Sequence, residues 1–249
     1  MPIRSGNYNI RNGRNGVLES ALQGMAQANT DLGIFQETKC TGGIHKCASA
    51  GYSFVATDAP SRHRGGVAVF YRPSPNFAVE AVHQFGTNVV GLQLVTGAQR
   101  WYIIGCYLAP DNTSKIESVV DALKERPQGT ALLVAGDLNK TLTEPENNKR
   151  GTDIVAALTV EGLEDMATYF LPLRRTWGRE NRTRSMVREG KVVRSWTDYI
   201  LGIDCPLFWN VSVRDPRHNT DHYMVLGCLH SAPEREHTKY LTGCKRIPL

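Results

Sequence analysis

Val89-Val90-Gly91-Leu92-Gln93-Leu94-Val95-Thr96-Gly97-Ala98-Gln99-Arg100-Trp101-Tyr102-Ile103-Ile104-Gly105-Cys106-Tyr107 reads as two strands around a turn. Both flanks are rich in β-branched and aromatic residues. Thr96-Gly97-Ala98-Gln99 between them has the length and glycine content of a hairpin connection. Outward from this pair, β-rich runs recur at 32–36, 53–57, 66–71, 79–85, 131–135, 196–202, 211–214 and 223–229, so the chain carries ten predicted strands in all. That is too many for a simple doubly wound parallel sheet.

Helical periodicity is rarer. Val17, Leu18, Ala21, Leu22, Met25 and Ala26 follow the 3.6-residue repeat behind Asn15, which predicts a capped helix over 17–29. Asn112-Thr113-Ser114 is a second cap signal, with Ile116, Val119, Val120 and Leu123 forming one apolar face before Pro127. A third helix is expected over 152–160, ending at Gly162. Three helices and ten strands predict an α/β (α+β) four-layered sandwich, two packed, mostly antiparallel β-sheets flanked by helices. No repeat or linker divides residues 1–230, and only 231–249 reads as a C-terminal extension.

Composition removes other classes. The 249 residues are 41% hydrophobic, enough for a core and far from a disordered composition. The apolar run from Trp101 to Ala109 is too short for a spanning helix, which needs about 20 residues, so no membrane partner is expected. The N-terminus lacks an apolar secretory core. Cys40, Cys47, Cys106, Cys205, Cys228 and Cys244 are scattered as free, mostly buried thiols of an intracellular protein would be. Cys40, His45 and Cys47 lack a matched second pair and are not read as a zinc site. His218 and His222 are four apart, but Pro216 argues against a helix that would align them.

Net charge is +5, and its distribution is uneven. Arg174, Arg175, Arg179, Arg182, Arg184, Arg188, Lys191 and Arg194 face only Glu180 and Glu189 within 174–194, a net +6 that leaves −1 for the rest of the chain. Trp177 lies within this segment and Trp196 just after it. Cations with interleaved aromatics suit a polyanion, nucleic acid above all. A solvated arginine-rich loop is the alternative reading.

Polar residues interrupt the apolar runs at strand ends. Gln36-Glu37-Thr38 follows 32–35 and Gly136-Asp137-Leu138-Asn139 follows 131–135. Asp198 lies within 196–202, Thr220-Asp221-His222 precedes 223–229, and Asn9 stands in Tyr8-Asn9-Ile10-Arg11. In a layered α/β protein such ends converge on one rim. Three Asp, one Glu, two Asn and one His make an oxygen-rich set suited to a hard cation, Mg²⁺ above all.

In this order the motifs resemble the endonuclease/exonuclease/phosphatase superfamily. Asn9-Ile10-Arg11-Asn12-Gly13-Arg14, Gln36-Glu37-Thr38-Lys39 and Arg64-Gly65-Gly66-Val67-Ala68-Val69 are similar to the endonuclease domain of non-LTR (LINE-type) retrotransposons, the fungal group in particular. The resemblance implies a Mg²⁺-dependent hydrolase, with Mn²⁺ as substitute, that nicks duplex DNA to leave a 3′-hydroxyl and a 5′-phosphate. It implies Glu37, Asn9 and Asp221 at the metal and Asp137 on the attacking water. Asn139 and His222 are implied on phosphate oxygens, Asp198 behind His222, and Tyr107 against the scissile phosphate. A reverse transcriptase domain, covalent or separate, and a nuclear location are implied with it. Apurinic endonucleases carry an acidic residue where this chain has Arg11, which weighs against abasic-site repair. Two alternatives stay open: an inositol-phosphate phosphatase or phosphodiesterase of the same superfamily, and an inactive nucleic-acid-binding module.

Overall fold

A computed structural model describes residues 3–11, 13, 16–61, 63–74, 77–97, 99–110, 116–139, 149–160, 162–165, 183–188, 191–195, 197–202, 208–214 and 220–229. Along the chain run β1 (Ile3–Asn9), α1 (Val17–Gln27), β2 (Leu32–Gln36), β3 (Gly43–Cys47), β4 (Tyr52–Ala56) and β5 (Val67–Tyr71). Then come β6 (Ala78–Gln84), β7 (Val89–Thr96), β8 (Gln99–Tyr107), α2 (Ile116–Lys124), β9 (Ala131–Asp137) and α3 (Lys149–Val160). The last are β10 (Glu164–Asp165), β11 (Arg184–Arg188), β12 (Lys191–Ser195), β13 (Asp198–Gly202), β14 (Phe208–Arg214) and β15 (Met224–Leu229).

One sheet has seven strands in the order β14-β15-β1-β2-β5-β4-β3, and the other six in the order β10-β13-β9-β8-β7-β6. Among these pairings β1 with β2 and β8 with β9 are parallel, and the rest antiparallel. The β7–β8 hairpin closes with Thr96 opposite Gln99, as the spacing predicted.

Strand periodicity sorts the side chains into layers. Ile34, Val67, Val69, Leu92, Ile103, Leu133, Ala135 and Ile200 meet between the sheets. Their neighbours point outward: Phe35, Ala68 and Phe70 pack with Leu22 and Met25 of α1. Tyr102, Ile104, Leu132, Val134, Tyr199 and Leu201 pack with Val119 and Leu123 of α2 and Ile154 and Leu158 of α3. Strands covered on both faces read as continuous apolar runs, which is why the central ones are so legible. The result is the predicted four-layer sandwich.

Five strands escaped the sequence reading: β1, β3, β10, β11 and β12. β1 has few apolar residues, and its Ser5, Asn7 and Asn9 are buried as hydrogen-bonding groups rather than as core. β3 alternates half-buried with exposed residues at a sheet edge, and β11 and β12 lie in the basic segment. α1 stops two residues early because Asn29 takes a left-handed φ of 53°. Its N-cap is Gly16, without a side-chain cap, and the expected cap Asn15 lies outside the described residues. So do the Asn112-Thr113-Ser114 cap and the 231–249 extension. The four described cysteines stand outside any disulfide among the described residues; Cys106 is buried and Cys40, Cys47 and Cys228 are half-buried. No helix among the described residues is long and apolar enough to cross a membrane.

Candidate active site

Topology brings the strand ends together. β1 and β2 run parallel with Asn9 opposite Gln36, so Asn9 and Glu37 emerge at one rim. In the second sheet Asp137 at the end of β9 pairs with Asp198 at the start of β13, and Tyr107 at the end of β8 pairs with Asp137. His222 precedes β15, the antiparallel neighbour of β1. The glycine before Asp137 is required by packing: a Cβ on Gly136 would stand 2.0 Å from the Cys106 carbonyl oxygen.

At the rim the contacts are close. Asn9 Nδ2 donates to Glu37 Oε1 (3.1 Å) and to Asp137 Oδ2 (2.8 Å). His222 Nδ1 meets Asp198 Oδ2 at 2.9 Å, while its Nε2 lies 3.8 Å from Asp137 Oδ2 and 3.7 Å from Asp221 Oδ1. The Asn139 backbone N–H donates to Asp137 Oδ1 (2.8 Å) and its side-chain amide to the Leu108 carbonyl (3.1 Å). Asn9, Asp137, Asp198 and His222 are all buried. Asp221 Oδ1 also pairs with Arg11 Nη1 at 3.1 Å. Arg11, Glu37, Lys39 and Asn139 all hold left-handed φ values, between 50° and 54°. Such backbone persists in non-glycine residues only where surrounding structure holds it.

Burial and charge oppose one another here. Burial disfavours the His222 imidazolium, yet Asp198, by charge and hydrogen bond, with Asp137 and Asp221 behind it, lifts its pKa to about 9. Burial first, and the Asp198 carboxylate second, raise Asp137 well above an ordinary carboxylic acid, against the pull of His222 and Asn9. Burial also pushes the Tyr107 phenol upward, helped by the charges of Glu37 and Asp137. The site is therefore a protonated imidazole among carboxylates, one of them a basic acid.

A divalent cation fits this donor set. Asp137, Asp198 and His222 present ligand atoms within 4.8 Å of one another. His222 Nδ1 is committed to Asp198, which leaves oxygen donors on Glu37, Asp137, Asp221 and Asn9, the chemistry of a hard cation.

The profile of the Endonuclease/Exonuclease/phosphatase family matches residues 6–222, from β1 through His222. The chain belongs to that family. No curated protein matches it. Among solved structures, the endonuclease domain of TRAS1, a telomere-specific non-LTR retrotransposon, is similar at a TM-score of 0.70 and 18% identity, over 93% of this chain and 100% of that one. AP endonuclease LMAP from Leishmania major follows at 0.68 and 15%, covering 92% and 88%. The 3′ phosphatase NExo from Neisseria, bound to product DNA hairpin, gives 0.69 and 15%, covering 92% and 100%. At these identities the likeness establishes the fold.

In this member of the Endonuclease/Exonuclease/phosphatase family, all eight residues expected to carry the chemistry lie at one rim. Asn9 and Glu37 touch, and the ion pairs of Asp221 run to Arg11 and His222. Arg174, Arg175, Arg179, Arg182, Trp177, Trp196 and His218 lie outside the described residues. The backbone of Arg184, Arg188, Lys191 and Arg194 forms the β11–β12 hairpin, and Lys191 is exposed. Cys40, His45 and Cys47 turn to separate partners, the Thr38 carbonyl, the Thr41 carbonyl and Ser49.

Sequence reasoning missed three contributors. Thr183, fully buried, accepts the backbone N–H of Thr197 (2.9 Å) and of Asp198 (3.0 Å) on its hydroxyl. Asn7 donates to the carbonyls of Gly136 (3.2 Å) and Tyr199 (3.1 Å) and accepts from Gln36 (2.5 Å), tying the two sheets together beneath the site. Arg11 was read as part of the Asn9–Arg14 motif and as a departure from the apurinic-endonuclease pattern, not as a partner of Asp221. Gln36, which braces Asn7, was legible as the polar residue just before Glu37, whereas Thr183 and Asn7 carried no such signal.

Proposed function

We propose that the chain is a divalent-metal-dependent DNA endonuclease that hydrolyses one phosphodiester bond to leave a nick with a 3′-hydroxyl and a 5′-phosphate. The observation that carries this reading is the buried cluster in which Asp137 lies 3.8 Å from an imidazole clamped by Asp198, with Asn9 and Glu37 alongside. Hydrolysis needs a water aimed in line with the leaving oxygen and positive charge around the reacting phosphoryl group.

Asp137 orients that water and accepts its proton, a task suited to a carboxylate whose affinity for protons is raised toward neutrality. Asn9 and the Asn139 N–H hold the two oxygens of Asp137 in place. His222, kept cationic by Asp198, donates to a non-bridging phosphate oxygen. Asn139 holds a second oxygen, and Tyr107, kept as a neutral phenol, lies against the scissile phosphate. Glu37, with Asn9 and Asp221, would hold Mg²⁺, or Mn²⁺ in its place, which would supply positive charge beside the phosphate.

Residues 1–230 are the catalytic domain in this reading. The basic segment, Arg174, Arg175, Arg179, Arg182, Arg184, Arg188, Lys191 and Arg194, contacts the duplex. The setting is target-site nicking for a non-LTR retrotransposon in the nucleus, where the 3′-hydroxyl primes an attached or separate reverse transcriptase. Supercoiled plasmid incubated with Mg²⁺, and with EDTA, tests the reading. Nicking should require the metal, the nick should be extendable by a polymerase without end repair, and Asp137→Ala should reduce the rate at least about 10³-fold while the protein stays folded. Phosphate release from inositol phosphates without nicking would favour the phosphatase reading, and binding without cleavage an inactive module.

A further inference from the structure

Arg11 stands at the mouth of the site in a conformation that needs explaining. Its φ of 54° is left-handed, and three contacts hold it there. Asn9 Oδ1 accepts its backbone N–H at 2.9 Å, the Lys39 ammonium donates to its carbonyl, and Asp221 Oδ1 takes Nη1 at 3.1 Å. Lys39 is in turn 4.0 Å from Glu37. Backbone strain held in this way collects at functional sites.

The pairing is lopsided. Asp221 is mostly covered, with 12% of its side chain exposed, whereas 53% of the Arg11 side chain is open to solvent. Asp221 therefore fixes one arm of the guanidinium while the side chain faces outward. Behind it lie four carboxylates, Glu37, Asp137, Asp198 and Asp221, against the cations Lys39 and His222. A polyanion approaching this rim meets acid first unless a cation precedes it. A guanidinium can keep one partner and bind a phosphate with its remaining N–H groups.

We propose that Arg11 is a substrate-binding residue that takes a backbone phosphate of the DNA strand beside the one being hydrolysed, with Asp221 and Lys39 as its positioning residues. This inference rests on the endonuclease reading above. It makes the site selective for a polymer, since a lone phosphomonoester has no neighbouring phosphate to offer.

The test is binding of a duplex of about 30 base pairs in EDTA, where no hydrolysis occurs, across salt from about 50 to about 200 mM. Arg11→Gln removes the charge. Arg11→Gly removes it too and accepts the left-handed backbone without strain, so the local backbone is kept, and its circular dichroism is checked beside wild type. Both should bind about tenfold more weakly, with a log affinity–log salt slope shallower by about 0.9, the contribution of one phosphate contact. Arg11→Lys should restore the slope and only part of the affinity, because an ammonium lacks the planar fork. A folded Arg11→Gly protein with the wild-type slope would overturn the assignment while leaving the endonuclease reading intact. Wild-type protein that neither binds nor nicks duplex DNA would overturn both.

Discussion

His222 carries the sharpest consequence of the site's electrostatics. Its pKa rises from the ordinary 6.5 to about 9 in the folded chain. Between those values the folded protein holds a proton that the unfolded chain has released. The contribution to stability is complete below about pH 6.5 and is lost as pH climbs to about 9, a few kcal/mol at most. Asp137, also raised, acts in the same direction at lower pH. In EDTA, urea midpoints should fall across this range, and His222→Asn should flatten the fall. A midpoint that climbed with pH would contradict the ion pair. Glu37, Asp137, Asp198 and His222 were legible in the sequence because each breaks an apolar run at the end of a strand. Arg11 was not, because the reason for it is a left-handed turn and a partner, Asp221, far along the chain.

At the scale of elements, the β11–β12 pair is stitched at its root to the strands that carry Asp198 and His222. Thr183 just before it accepts two N–H groups from the start of β13, and its carbonyl accepts the Tyr223 N–H at 2.6 Å. The Ser185 N–H donates to the Asp221 carbonyl at 2.7 Å. Asp198 and His222 are thus held by backbone on both sides of the same short segment. Thr183→Val keeps the shape and removes the acceptor, leaving two buried N–H groups unpaired. The expected loss is about 2 kcal/mol by chemical denaturation, with nicking reduced more than about tenfold as Asp198 loosens. An unchanged denaturation midpoint would show that the hydroxyl supports nothing. Strands covered by packing on both faces announced themselves by composition. β11 and β12 did not, because their residues read as charge and their pairing is local to one ribbon.

At the scale of the molecule, the two sheets share more than an apolar seam. Asn7, buried in the middle of the seven-stranded sheet, hydrogen-bonds Gly136 in β9 and Tyr199 in β13 of the other, and Gln36 braces it. This polar rivet sets the spacing between Asn9 and Glu37 on one side and Asp137 and Asp198 on the other. Asn7→Leu should cost roughly 3 kcal/mol, since it strands two carbonyls and the Gln36 amide in the core. Thermal unfolding of the metal-free protein measures it, and a loss under about 0.5 kcal/mol, the range of an ordinary surface change, would dismiss the rivet. Four layers could be inferred from ten apolar runs and three helical faces. The rivet could not, because an asparagine within Ser5-Gly6-Asn7-Tyr8-Asn9 looks like loop until its strand is known to be central.

β1 lies between β2 and β15, with Ile3 opposite Leu229, so the first described strand is paired by the last described one. A polypeptide leaving the ribosome exposes Glu37 and Asp137 long before His222 follows. In between it owns two of the four acids and lacks the imidazole together with Asp198 and Asp221. Closure of the rim is thereby postponed until His222 and β15 have emerged to pair with β1.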